Sequence, residues 1–136
     1  MPAVLVDAGP LIALLDRRDV HHRKCVKVFE GMQSPLLTAW PVVAEAMHLL
    51  ATVSGGVDAL WGMLEDPGVV RLLPLEPADY SAMRLSMHKY RDQRMDLGDA
   101  ALVRLAAREH LTTIFTLDRD FQVYRIGGTG RFTIVP

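Results

Sequence analysis

Residues 4–15 read VLVDAGPLIALL, an apolar run that one carboxylate, Asp7, and a Gly-Pro pair interrupt. A short apolar run that ends at turn residues is typical of a strand buried on both faces. Pro10 suits the first turn of a helix, so we predict a strand over residues 3–6 and a helix over residues 11–15. Asp7 then ends the strand, where a carboxylate is costly if it is buried without a partner.

The same alternation of apolar strands and helices continues to the end of the chain. Continuous apolar strands that are separated by helices are typical of a mostly parallel sheet with helices on both faces. The sequence therefore predicts an α/β fold, with a loop over residues 91–95 and an edge strand over residues 132–135. The other predicted strands cover residues 36–39, 69–73 and 112–117, and the other predicted helices cover residues 20–32, 41–53, 57–65, 77–91 and 97–110.

Length and composition predict one globular domain over residues 1–136. Half of the residues are hydrophobic, which is typical of a globular protein. The formal net charge of −1 indicates neither an overall positive potential that would attract nucleic acid nor a disordered acidic tail. One cysteine, Cys25, cannot form an internal disulfide, so we expect a cytoplasmic setting and a core position for this thiol. The least charged stretch, residues 31–57, is interrupted by prolines, Glu45 and a Gly-Gly pair, so we expect no membrane span.

Five acidic residues are predicted to meet at one edge of the sheet, because ligands bind beyond the carboxyl ends of parallel strands. Asp7 and Asp118 each end a predicted strand, and Glu45 lies in the first turns of the helix after another strand. Asp96 and Asp99 begin a helix, and helices that follow a crossover usually start at that same edge. Distant parts of the chain can therefore deliver four or five carboxylates to one rim.

Most of these acids also have a purely structural explanation, which the sequence leaves open. Asp7 could accept backbone N–H groups at the Gly-Pro turn. Asp96 and Asp99 have the spacing of an N-cap and an N3 acid. Asp118 could form an Asx turn, and Asp120 fits a solvated turn acid better than a ligand.

Glu45 is the acid that a structural role explains least well. It is the one charge in PVVAEAMHLL, a helix that looks apolar almost all round, and no Lys or Arg lies within two helical turns. An unpaired buried carboxylate costs several kcal/mol or takes up a proton, so a cation from elsewhere would resolve the conflict. His48 shares the Glu45 face, where a packed or half-solvated histidine is a better interpretation than a ligand.

Converging carboxylates repel one another and therefore favour protons or a divalent cation between them. A set of oxygen ligands without cysteine or a histidine cluster suits Mg²⁺ or Mn²⁺ rather than Zn²⁺. Such an ion supports phosphoryl chemistry on a polyanion. Four arginines near these acids in sequence are candidates to grip the polyanion backbone, although a solvated surface explains each equally well: Arg91, Arg94, Arg119 and Arg125.

Four segments together resemble the PIN domain family, and within it the small VapC-type ribonucleases. They are VDAGPLIALLD, TAWPVVAEAMHLL, MDLGDAALVRLAA and TIFTLDRDF, in the expected order. The resemblance implies a three-layer α/β/α fold with a five-stranded sheet, and Mg²⁺- or Mn²⁺-dependent cleavage of RNA. It also implies a homodimer, and a toxin that an antitoxin protein inhibits. The helices around Trp61 and Met63 could form the dimer face or could equally belong to the core.

The resemblance assigns roles to the acids one by one. The catalytic set becomes Asp7 in VDAGP, Glu45 in VVAEA, Asp99 in GDAAL and Asp118 in TLDRD, while Asp96 matches an extra acid of many relatives. Asp7 and Asp99 would hold the metal most directly, Asp118 would also bind it, Asp96 would assist, and Glu45 would position metal or water.

Other functions fit the sequence less well. A receiver domain needs a lysine near a late strand, but Lys89 is the last lysine. A haloacid-dehalogenase-type phosphatase needs an acid two residues after the first one, where this chain has Gly9. A PIN domain that processes RNA, or one that binds RNA or protein without catalysis, remains the alternative to a toxin nuclease.

Overall fold

In the computed structural model, which describes residues 3–136, five short strands form one parallel sheet and two more form a hairpin. The predicted parallel α/β fold is confirmed, although each strand of the five-stranded sheet is shorter than the apolar run that predicted it. The strands are β1 (Val4–Val6), β2 (Leu36–Thr38), β3 (Val70–Leu72), β4 (Thr113–Phe115), β5 (Arg125–Ile126), β6 (Gly130–Arg131) and β7 (Thr133–Val135).

The sheet has the order β3-β2-β1-β4-β7, so the chain starts in the middle and builds outward in both directions. All four pairings are parallel, and Val6 of β1 lies in register with Phe115 of β4. All three residues of β1 are buried, which requires cover on both faces of the sheet. The strand order reverses between β1 and β4, and a crevice for a ligand forms at the carboxyl ends of the strands there.

Within residues 3–136, six α-helices cover the sheet, and several begin or end at residues other than those that the sequence predicts. The first starts at residue 8 rather than 11, because the Asp7 carboxylate accepts a hydrogen bond from the Ala8 N–H at 2.8 Å and caps it. The predicted helix over residues 77–91 divides into a 3₁₀ turn and an α-helix. The helices are α1 (Ala8–Leu15), α2 (His22–Glu30), α3 (Trp40–Leu50), α4 (Gly56–Glu65), α5 (Tyr80–Lys89) and α6 (Leu97–Arg108).

The hairpin of β5 and β6 was not predicted, because its two-residue strands are too short to show a period. Gly127 and Gly128 connect the strands with φ angles of +59° and +89°, which glycine adopts without strain. Predicted strand β7 lies at an edge of the sheet, as expected.

The core lies on both sides of β1 and β4. Cys25 is fully buried on α2, as predicted. An aromatic cluster packs edge to face with centroid separations of 5.0–5.4 Å, and it consists of Tyr90, Phe121, Tyr124 and Phe132. No helix within residues 3–136 is long and apolar enough to cross a bilayer.

A buried ion-pair network joins the start of α5 to α6. Asp79, which is 1% exposed, accepts from Arg104 Nε at 2.8 Å and from Arg108 Nη1 at 2.7 Å. It also accepts from the Glu76 N–H at 2.8 Å, and these partners hold the pKa of its carboxyl below the ordinary value. The network fixes the segment before α5 against the helix that begins with Asp96 and Asp99.

Candidate metal and catalytic site

Three carboxylates meet at the crevice between β1 and β4. Asp7 follows β1, Asp118 follows β4 after two further residues, and Asp99 lies in the first turn of α6. One oxygen from each of these side chains lies within 4.8 Å of the other two. Asp7 and Asp99 are buried, whereas Asp118 remains partly exposed to solvent. The cluster can therefore hold a divalent metal ion that is reached from one side.

The same three acids line a cavity of about 270 Å³ together with Glu45 and Asp96. All five acids that the sequence predicts to converge thus share one pocket. Its remaining walls come from the start of α1, from α3 and from the loop after β4, and they are Ala8, Gly9, Ile12, Leu49 and Leu117.

Glu45 reaches this pocket, but the sequence-based reason for its importance was wrong. The helix α3 is not buried all round, because it packs only one face against the core and leaves Glu45 and His48 exposed. Glu45 therefore avoids the full cost of a buried carboxylate. His48 does not line the cavity.

The close approach of α3 and α6 brings Glu45 to the other acids. A Cβ atom placed on Gly98 would lie 3.5 Å from Val42 Cγ2 on α3 and 3.8 Å from Glu45 Oε2. It would also lie 3.4 Å from Asp96 Oδ1. Gly98 therefore lets the first turn of α6 pack against α3 beside the pocket.

Within residues 3–136, no lysine or arginine forms an ion pair with the five acids. The ion pairs of this part of the chain link Arg104 and Arg108 to Asp79 and Glu109, outside the pocket. Burial and the negative charges of Asp96, Asp7 and Asp118 raise the pKa of Asp99 to about 7. Burial raises the pKa of Asp7 above its ordinary value. Partial loss of solvent at the pocket wall, together with the charges of Asp96, Asp7 and Asp118, raises the pKa of Glu45. A doubly charged ion between these oxygens would remove the repulsion.

Thr116 holds two of the acids in place, and the sequence analysis missed it. Its buried hydroxyl donates to Asp7 Oδ2 at 2.9 Å and accepts from the Asp118 N–H at 3.0 Å. The Asp7 N–H donates to the Phe115 carbonyl at 3.0 Å, which places Asp7 beside Thr116. A hydroxyl two residues before a strand-end acid was the available signal, in TIFTLD.

Asp96 and Asp99 form a capping box, so their structural explanation is correct alongside their place in the pocket. The Asp99 N–H donates to Asp96 Oδ1 at 2.8 Å, and the Asp96 N–H donates to Asp99 Oδ2 at 3.3 Å. The buried Tyr124 hydroxyl, also missed, donates to Asp99 Oδ2 at 3.3 Å. Burial and the nearby Asp99 charge raise the pKa of Tyr124, which keeps it a donor.

Asp118 likewise has both a structural and a pocket position. One of its oxygens accepts from the Asp120 N–H at 2.9 Å and opens the 3₁₀ turn Arg119–Gln122. Asp120 itself does not line the cavity, in keeping with its interpretation as a turn acid. Burial, followed by the charge of Asp118, raises the pKa of Asp120.

Of the four candidate arginines, the structure places only Arg119 beside the acidic cavity. Arg119 lines a second cavity, which shares Leu117 and Asp118 with the first. Arg91 Nη1 donates to the His88 carbonyl at 2.9 Å, and Arg94 is exposed with a φ of +55°. Arg125 donates to three nearby carbonyls and lines a third cavity, with Lys89 and Tyr90.

The sequence matches the PIN domain family over residues 4–127. It is similar to Ribonuclease VapC26 of Mycobacterium tuberculosis, with 35% identity over 136 residues that cover 98% of this chain and 100% of that protein. The fold is similar to that of VapC20 of Mycobacterium tuberculosis, a sarcin-ricin loop cleaving toxin, with a TM-score of 0.81 and 16% identity over 89% of this chain and 94% of that chain. PAE2754 from Pyrobaculum aerophilum gives a TM-score of 0.57 and 20% identity over 98% and 91% of the two chains.

Proposed function

The chain belongs to the PIN domain family, and from this membership we propose that it is a metal-dependent endoribonuclease and the toxin of a toxin–antitoxin pair. The observation that carries the proposal is the approach of Asp7, Asp99 and Asp118, whose oxygens lie within 4.8 Å of one another. The 35% identity to Ribonuclease VapC26 over nearly the full length supports the same activity.

We propose Mg²⁺ or Mn²⁺ as the ion, because the pocket offers carboxylate oxygens and no sulfur or imidazole ligand among its lining residues. Asp7, Asp99 and Asp118 would hold it, with Asp96 as an additional acid at the rim. A bound ion of this kind supplies neutralisation of charge on a phosphoryl group and activation of water for hydrolysis.

The protein side chains would fix the geometry in which an RNA phosphodiester is attacked. Thr116 and the Ala8 N–H each occupy one oxygen of Asp7, so this carboxylate cannot rotate away. Glu45 is exposed at the pocket wall and would orient the attacking water. In-line attack forms a bond from water oxygen to phosphorus and breaks the bond to the 3′ oxygen, which leaves 5′-phosphate and 3′-hydroxyl ends.

The proposed partners are the RNA substrate, an antitoxin protein and a second copy of the chain. The relatives named as a ribonuclease and as a toxin support the first two. The homodimer stays a prediction, for which Trp61 offers a side chain that is 45% exposed.

The proposal is tested by incubating a single-stranded RNA with the purified protein in Mg²⁺, in Mn²⁺ and in EDTA. We expect cleavage only with a divalent ion, and its loss in Asp7→Asn. Asparagine can still accept from the Ala8 N–H through Oδ1 and can donate its amide N–H to the Thr116 hydroxyl. The raised pKa of Asp7 means that a neutral group costs the fold little. Asp92→Asn, at an exposed acid outside the pocket, is the matched control that keeps full activity. Equal cleavage by Asp7→Asn would refute the assignment.

A further inference from the structure

A second cavity lies directly beside the acidic pocket. It has a volume of about 300 Å³, and it shares Leu117 and Asp118 with the pocket. We name it the basic cavity, after its nitrogen-bearing side chains: His21, Lys24, Arg119 and Gln122. Leu117, Ile134 and Pro136 provide apolar surface between them.

In the part of the chain that the structure describes, the two cations of the basic cavity are available to bind a ligand. Within residues 3–136, neither Lys24 nor Arg119 takes part in an ion pair, because all such pairs involve Arg104 or Arg108. Both side chains are exposed. Arg91 and Arg125 differ, since each already donates to backbone carbonyls.

We propose that the basic cavity binds the RNA backbone next to the scissile phosphate, with Lys24 and Arg119 at one phosphate and Gln122 at the adjoining ribose or phosphate. This inference rests on the proposed function and extends it to a site for the neighbouring nucleotide. Lysine and arginine are the usual partners of nucleic-acid phosphates. A strand that passes from the acidic pocket into the basic cavity crosses Leu117 and Asp118, which line both cavities.

The two cations of the basic cavity lie close to the carboxylate that lines both cavities. Asp118 lines both cavities, and its charge alone would repel a phosphate that passes it. Lys24 on α2 and Arg119 after β4 approach the same space from separate elements. Leu117 and Ile134 add apolar surface on which a ribose or base can lie.

The test measures RNA binding in a background that cannot cleave. Asp7→Asn is combined with Lys24→Ala and Arg119→Ala, and the affinity for a labelled single-stranded RNA is followed across a salt titration at fixed Mg²⁺. We expect affinity to fall about tenfold, and the slope of log affinity against log salt to shrink by roughly 0.7, because Lys24 and Arg119 share one phosphate of a single strand. Asp7→Asn with Arg23→Ala and Lys27→Ala is the matched control, because both are exposed cations of α2 outside the cavity.

Two further measurements separate this inference from the proposed function. Mn²⁺ binding by the Lys24→Ala/Arg119→Ala protein is expected to equal that of the wild type, and its KM for RNA is expected to rise more than its kcat falls. If the wild type cleaves RNA while the double substitution leaves affinity and salt slope unchanged, the basic cavity is refuted and the nuclease stands. If the double substitution weakens the binding of a polyglutamate peptide but leaves the binding of RNA unchanged, the cavity binds an acidic protein segment and the inference is also refuted.

Discussion

At the scale of single residues, Asp7 depends on a neighbour that is 109 positions away in sequence. The Thr116 hydroxyl donates to Asp7 and accepts from the Asp118 N–H, so one side chain fixes the orientation of two acids. Asp96 and Asp118 each have two roles, because each side chain caps a helical segment and also lines the acidic pocket. Local capping therefore prepares the carboxylates before any ligand arrives.

Replacing Thr116 by valine removes this connection without changing the shape of the side chain. We expect a loss of roughly ten- to a hundredfold in kcat, because a misplaced catalytic group is costly even at small displacements. The free energy of unfolding is expected to fall by about 1 kcal/mol, the net value of a typical hydrogen bond. Steady-state cleavage and denaturant unfolding measure the two effects. Thr116→Ser keeps the hydroxyl and should restore most activity, and a Thr116→Val protein with wild-type kcat would contradict the role.

At the scale of elements, the site depends on where helices start. Residues Asp7, Asp96 and Asp118 each immediately precede a helical segment, so the acids stand at the edge where helices meet the ends of strands. The position of α6 in turn depends on the network of Asp79, Arg104 and Arg108, which ties it to the segment before α5.

Breaking that network should destabilise the fold and leave the chemistry of the pocket intact. Asp79→Ala removes the carboxylate that both Arg104 and Arg108 contact. Because these arginines remain 28% and 22% exposed, we expect a loss of about 1.5–3 kcal/mol, the range of hydrogen bonds to charged groups. Glu109→Ala is the matched control. The distance from Glu109 Oε2 to Arg108 Nε is 3.7 Å, and the Glu109 side chain is 42% exposed, so this ion pair contributes about 0–1 kcal/mol. Denaturant unfolding compares the two. Because the Asp79 pKa is lowered, its contribution should disappear as the pH falls below 3.8.

At the scale of the whole molecule, the acids that the fold collects oppose its stability when no cation is present. Asp99, Asp7 and Glu45 all have raised pKa values, so each favours the protonated form in the folded chain. The folded state thus binds more protons than the unfolded state over a range of pH, and stability falls there as the pH rises.

The repulsion among these acids predicts that thermal stability decreases as the pH rises and that a bound divalent metal restores it. For Asp99 the stabilising contribution is complete below the ordinary pKa of 3.8 and is lost as the pH rises through about 7. In EDTA, Tm should therefore decrease across this range, and Asp99→Asn should show a smaller decrease. Mn²⁺ should raise Tm of the wild type above pH 7, since a ligand that binds only the folded state stabilises it. An identical pH profile for Asp99→Asn, measured by thermal unfolding, would contradict the coupling.

The sequence by itself determined the parallel sheet, the alternation of its helices and the list of acids at one edge. Apolar runs and turn residues act locally, so they predict strands over residues 3–6 and 112–117 and place Asp7 and Asp118 after them. The short hairpin of β5 and β6 has no recognisable sequence period and was not predicted. The division of the predicted helix over residues 77–91 into a 3₁₀ turn and α5 was not predicted either.

Only the tertiary structure decided which side chains face one another. Thr116 and Tyr124 look like ordinary core residues until the sheet and α6 bring them to Asp7 and Asp99. Glu45 seemed buried because its helix is apolar, yet packing covers one face of α3 and leaves Glu45 exposed at the pocket. Arg119 and Arg125 are alike in sequence but line different cavities. Their places depend on contacts between residues far apart in the chain, which no local pattern encodes.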